Sequence, residues 1–184
     1  MLQGVNAWMR AAPLVTACVV AGAKNSVCDA VVQLCEQKQR FDFRRNATFA
    51  VFGVGWVGAG QYWLFNRIYP WVLPGLASRR PGSVAAVTLV DNLGHIPFVY
   101  LPVFYTVREV AHGNYGEFLS VALGSWRHNF AEDVGLQAAI FVPAQVFNFA
   151  VNPPHLRVPF LVGVGVVWVS LLSHFRGDHP SSSG

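Results

Sequence analysis

Between Arg45 and Arg67 the chain reads NATFAVFGVGWVGAGQYWLFN, a run without one charged residue. Its length is the strongest constraint on the fold, because about 20 apolar residues wound as a helix cross the roughly 30 Å hydrocarbon core of a bilayer. No water reaches backbone groups there, so a helix that bonds them internally is the form such a run takes. Val134 to Leu156 and Val158 to Phe175 are also free of formal charge, with the turn NPPHLR, 152–157, at their junction.

Two further segments are less clean. Ser83 to Val107 is long enough to span but contains Asp91, His95, Pro97 and Pro102. It predicts a kinked helix, since each internal proline removes a backbone bond and crowds the preceding turn. Ala11 to Ala23 is short, and continuing it to Leu34 brings in Lys24 and Asp29, which must then face protein.

Charged residues make up 12% of the chain and mean hydropathy is +0.39, whereas ordinary soluble domains carry roughly 25% charge. So little charge does not cover a soluble surface. With 184 residues, one domain is expected: residues 1–184 form a single multi-pass membrane domain, with 1–10 as an N-terminal arm and 177–184 as a polar tail. The expected fold class is all-α, a bundle of four transmembrane helices. An additional interfacial helix is expected within 108–133, where Phe118, Val121, Ala122 and Trp126 follow a helical stripe.

The net charge of +4 sits singly or in short groups between apolar runs, a pattern of membrane loops and not of a nucleic-acid surface. Cys18, Cys28 and Cys35 form no CxxC pair and leave an odd thiol, which argues against a disulfide framework. The first 28 residues hold Arg10 and Lys24 and no acid. That start suits a secretory signal ending at Ala21-Gly22-Ala23 or an uncleaved mitochondrial signal, and the second is favoured.

Catalytic sets are missing from the sequence. There is no HExxH, no pair of histidines at helical spacing and no GxSxG. GVGWVGAG lacks the GK[ST] ending of a phosphate loop and lies inside a span, so close helix packing through small residues is its reading. No catalytic, cofactor-binding or metal residue is therefore assigned, and the chain is not expected to be an enzyme. Polar residues inside spans are costly without partners and call for an account. Asp29 and Gln33 share one helix face, as do Asp91 and His95. Each pair either lines a hydrophilic path or bonds neighbouring helices, and Gln145 and Asn148 are expected to point into the bundle. Arg79, Arg80 and Arg157 are assigned to lipid headgroups, anionic ones in particular.

The spacing near the C-terminus also carries a resemblance. Gln145, Asn148, Phe149, Pro153, Arg157, Trp168, Leu172 and Ser173 follow Q-x-x-N-F, then P, then R, then W-x-x-x-L-S. Pro13, Thr16, Asp29 and Gln33 match an N-terminal P-x-x-T and G-D-x-x-x-Q, with Cys28 at the glycine. Asp42 and Arg45 match D-x-x-R, and Asp91 with Pro97 matches a central D-Q and proline, with Asn92 at the glutamine. In these the chain resembles the Mpv-seventeen/22-kDa peroxisomal membrane protein family, small four-span membrane proteins. It departs at the second span, where Trp63 remains but Gln61 and Leu64 stand at the family's histidine and tyrosine. The resemblance implies the mitochondrial inner membrane first and the peroxisomal membrane second. Two roles are carried forward: an accessory structural subunit of a larger inner-membrane complex of respiratory or ATP synthase type, or a channel-like pore for small solutes or ions. Expected partners are membrane lipids and other membrane subunits, without nucleic acid.

Overall fold

The computed structural model describes residues 2–36 and 40–177, which form helices and no strand. A short α1, Leu2–Ala11, ends at Ala12, whose backbone (φ −132°, ψ 61°) leaves the helical region. α2, Pro13–Cys35, begins on a proline, a residue suited to a first turn where no N–H is needed. α3 runs over residues 43–72, and Asp42 caps it by accepting from the Arg45 N–H at 2.9 Å. α4 is Pro81–Ala111, α5 is Phe118–Ala150 and α6 is Arg157–Gly177. α2 and α4 are each long and apolar enough to cross a membrane; at about 1.5 Å per residue, α2 measures about 35 Å.

Burial is arranged as a bilayer requires. Val27, Leu34, Phe43, Val51, Leu93 and Trp71 are exposed, while Asp29, Gln33, Asp91, Asn92, Gln145, Asn148 and Arg157 are buried. Apolar side chains cover the outside and polar ones are turned inward, the reverse of a soluble domain. Phe65, Tyr69 and Phe149 form the centre of the core, with ring centroids 5.5 to 6.1 Å apart.

The glycines of GVGWVGAG let α2 and α3 approach until their backbones nearly touch. A Cβ on Gly58 would lie 2.5 Å from Cys18 Cα, and one on Gly53 would lie 2.6 Å from the Ala21 carbonyl oxygen. Only the missing side chains allow that distance.

α4 accommodates its prolines by a change of register rather than by a break. Over Asp91–Tyr100 it adopts the wider π winding, in which the Leu101 N–H reaches Ile96 O, five residues back. In that register the next donor, to Pro97 O, would be the N–H of residue 102, which is proline and has none. The freed carbonyl is taken by the Trp126 indole N–H of α5 at 2.9 Å.

That bond bears on the interfacial helix expected within 108–133, which does not form as a separate element. Phe118–Ala150 is one continuous helix, and its Trp126 and Phe130 pack on Phe98 of α4 at 6.4 and 5.7 Å. The apolar stripe faces a neighbouring helix as well as lipid. The N-terminal arm expected at 1–10 is mostly α1, which touches the 154–156 turn. Of the polar tail expected at 177–184, only Gly177 lies within the described residues.

The helices share two ends. At the first lie the start of α2, the end of α3, the 73–80 connection and the 151–156 turn. At the second lie Glu36, residues 40–42 and the 112–117 connection, where the Arg44 guanidinium sits 4.6 Å over the Tyr115 ring.

Candidate functional site

Besides the buried hydrogen bond from the Tyr105 hydroxyl to Asp133 Oδ2, three larger polar clusters occupy the interior among the described residues, at successive depths. Nearest the second end, Arg45 of α3 is buried against α2: its Nε donates to Asp29 Oδ1 at 2.7 Å and its Nη1 to Glu36 Oε2 at 2.7 Å. Gln33 Nε2 donates to Asp29 Oδ2 at 2.8 Å, while Gln33 Oε1 accepts from the Asp42 N–H at 2.7 Å. Asn46 Nδ2 reaches Asp29 Oδ2 at 3.2 Å and the Ser26 carbonyl at 2.8 Å. Both oxygens of Asp29 and both polar atoms of Gln33 are thereby occupied. A charge pair this well bonded closes the α2–α3 hairpin and leaves no free valence toward a lumen.

The middle cluster gathers around Asp91, 1% exposed, where α3, α4 and α5 meet. The Tyr69 hydroxyl of α3 donates to Asp91 Oδ1 at 2.6 Å, and Gln145 Nε2 of α5 donates to Asp91 Oδ2. His95 Nδ1 lies 2.9 Å from Asp91 Oδ1, and the His95 ring stacks on Trp56 of α3 at 6.4 Å. One turn along, Gln137 Nε2 donates to Asn92 Oδ1 at 3.1 Å, and Asn92 Nδ2 donates to Thr88 O at 2.9 Å. This cluster is not closed. The carbonyl oxygens of Gln137 and Gln145, the Thr88 hydroxyl and the Trp56 indole N–H are buried with no protein partner.

The third cluster lies in the turn between α5 and α6. Arg157, 4% exposed, donates from Nη1 to the Phe65 carbonyl at 2.9 Å and stacks over the Phe149 ring at 5.3 Å. Asn148 Nδ2 donates to Arg157 O at 3.3 Å, while Asn148 Oδ1 accepts from Asn152 Nδ2 at 3.0 Å. Arg157 Nε and Asn66 Nδ2 are buried without partners. The headgroup contact expected of Arg157 is corrected by this placement, since its guanidinium is committed to the end of α3 inside the bundle. Arg79 and Arg80 are exposed in the 73–80 connection.

The sequence profile of the Mpv17 / PMP22 family matches residues 116–173, which span α5, the turn and most of α6. PXMP2/4 family protein 2 of Dictyostelium discoideum is 26% identical over 180 residues, covering 91% of this chain and 87% of that relative. No solved structure matches. The chain resembles the Mpv17 / PMP22 family, most clearly over these C-terminal residues. Its described residues are helical, as in a membrane bundle, and the matched region contains Gln137, Gln145 and Asn148, the residues that bring α5 to Asn92, to Asp91 and to Arg157.

Of the six polar residues singled out from the sequence, the fold joins Asp29 with Gln33, and Asp91 with His95 and Gln145, while Asn148 stands apart at the turn. Tyr69, Asn92, Gln137 and the buried partner Arg45 escaped that reading as site residues. For Gln137 a signal existed, because it lies two turns before Gln145 on one helix face in a charge-free run. Tyr69 offered none, being one of several aromatics that fit an interfacial belt. Among the described residues no three His, Cys, Asp or Glu side chains converge as a metal site.

Proposed function

We propose that the protein is a non-catalytic conduit for small polar solutes or ions, built on the middle cluster. The observation that carries this reading is the set of unpaired polar atoms around Asp91: two amide oxygens, a hydroxyl and an indole N–H, all buried. In a bilayer interior such atoms are costly unless water or a passing solute bonds them. They lie on three different helices, and Asn66 and Arg157 supply two more toward the first end. α3, α5 and α6 join α2 and α4 as membrane-crossing rods around this column, since all five run between the same two ends.

Reconstitution in planar bilayers tests the reading. Conductance is expected, with Asp91→Asn altering its ion selectivity and Gln137→Leu reducing it. Conductance that ignores both substitutions removes the cluster from the mechanism, and absence of conductance sinks the conduit.

A role as accessory subunit of a larger inner-membrane complex, respiratory or ATP synthase in type, is supported by a different feature. Gly55 and Gly163 are exposed on the outer faces of α3 and α6 with no heavy atom near the position of a Cβ, an opening for a close-packed helix of another protein. A band larger than the monomer on native gels of mild-detergent extracts, lost in Gly163→Leu, is the expected result; a monomer in every extract excludes this role. The acid-free basic start supports the mitochondrial inner membrane as location, and the peroxisomal membrane is the alternative, which imaging of a tagged chain decides.

A further inference from the structure

The two ends of the bundle differ in charge in a way that only the folded chain reveals. The second end mixes signs: Glu36, Asp42, Glu109 and Glu117 stand among Arg40, Arg44, Arg45 and Arg108. The first end holds Arg10, Arg67, Arg79, Arg80 and Arg157, together with His155, and no acid among the described residues. Such a concentration of one sign is unfavourable unless an anion neutralises it.

A cleft opens at this end between the start of α2 and the last turns of α3. It has a volume of about 430 Å³, and Pro13, Leu14, Val15, Tyr62, Trp63 and Arg67 line it. Its walls are apolar and aromatic, and its one charged side chain is exposed Arg67, held 5.8 Å over the Trp63 ring. Arg10 precedes the α1–α2 joint that forms one rim. Cation, aromatic belt and apolar wall follow one another in the order of phosphate, glycerol and acyl chain in a bilayer leaflet.

We infer that this cleft is a binding site for an anionic phospholipid, its phosphate on Arg67 and its upper acyl chain against Pro13, Leu14 and Trp63. The exposed arginines of the 73–80 connection add the long-range field that selects an anionic headgroup over a zwitterionic one. The site is independent of the Asp91 column.

Native mass spectrometry of the full chain released from phosphatidylglycerol/phosphatidylcholine nanodiscs tests this. Wild-type protein is expected to retain phosphatidylglycerol in preference to phosphatidylcholine. Arg67→Gln should reduce that preference about fivefold, and Arg79→Gln with Arg80→Gln by up to about 25-fold, each arginine near a headgroup contributing on the order of one fivefold step. Should Arg67→Gln lose helical circular dichroism, the double variant in the exposed connection carries the test alone. Equal retention of both lipids, or a preference unchanged in folded variants, overturns the site. Displacement of the lipid by inorganic phosphate also overturns it, because the cleft would then hold a soluble anion.

Discussion

Arg45 lies beside Arg44 in the sequence, yet the two have opposite fates. Arg44 is exposed over Tyr115, whereas Arg45 is buried between Asp29 and Glu36. The difference follows from the Asp42 cap, which starts α3 so that position 45 faces α2. A buried ion pair adds little net stability over an apolar pair, but removing one partner strands the other charge. Arg45→Leu should therefore lower stability by about 3–5 kcal/mol, measured as a shift in the unfolding midpoint in mild detergent. Arg45→Leu combined with Asp29→Leu should recover a large part of that loss. If the double variant is less stable than the single one, the pair is not the source of the effect.

At the scale of elements, α4 and α5 are joined through a defect. Pro102 withholds the donor that Pro97 O needs, and Trp126 replaces it from the neighbouring helix. Trp126→Phe should cost about 1–3 kcal/mol by leaving that carbonyl unpaired. Placing Pro102→Ala beneath it restores a main-chain N–H, so the cost of Trp126→Phe should shrink in that background. A double-mutant cycle on thermal unfolding reads the coupling, and strict additivity would show that the indole does not serve this carbonyl. α2 and α3 depend on a different device. Gly58→Leu should separate them, because its Cβ meets the Cys18 backbone, at a cost of about 1–3 kcal/mol or more. Gly55→Leu, on an exposed face with nothing near its Cβ, should stay within about 0.5 kcal/mol.

For the whole molecule, the one-signed end makes stability a function of the surrounding lipid. A ligand that binds only the folded chain stabilises it by mass action, about 2.7 kcal/mol at a hundred times its Kd. The melting temperature should then be higher in phosphatidylglycerol nanodiscs than in phosphatidylcholine ones. Added salt should shrink the gap by screening the exposed arginines, and Arg79→Gln with Arg80→Gln should nearly close it. An identical melting temperature in both lipids would mean that the basic end binds no headgroup.

The helical, membrane-embedded character of the chain was legible before any coordinates, because it follows from segment length and local composition: charge-free runs of spanning length admit one backbone solution in lipid. So were the pairs Asp29–Gln33 and Asp91–His95, which a four-residue spacing sets on one face of a helix whatever surrounds it. The extent of α5 was not legible, since an amphipathic stripe reads alike whether it meets headgroups or another helix; the indole bond to Pro97 O decided it. Nor was the placement of Arg157, whose position beside a turn fits a headgroup as well as a buried carbonyl. Tyr69 with Asp91, Gln137 with Asn92, and the gathering of five arginines at one end all join residues far apart in the chain. Sequence periodicity determines which face of a helix a residue occupies, but the partner that face meets depends on how the helices pack, and that was decided only by the tertiary structure.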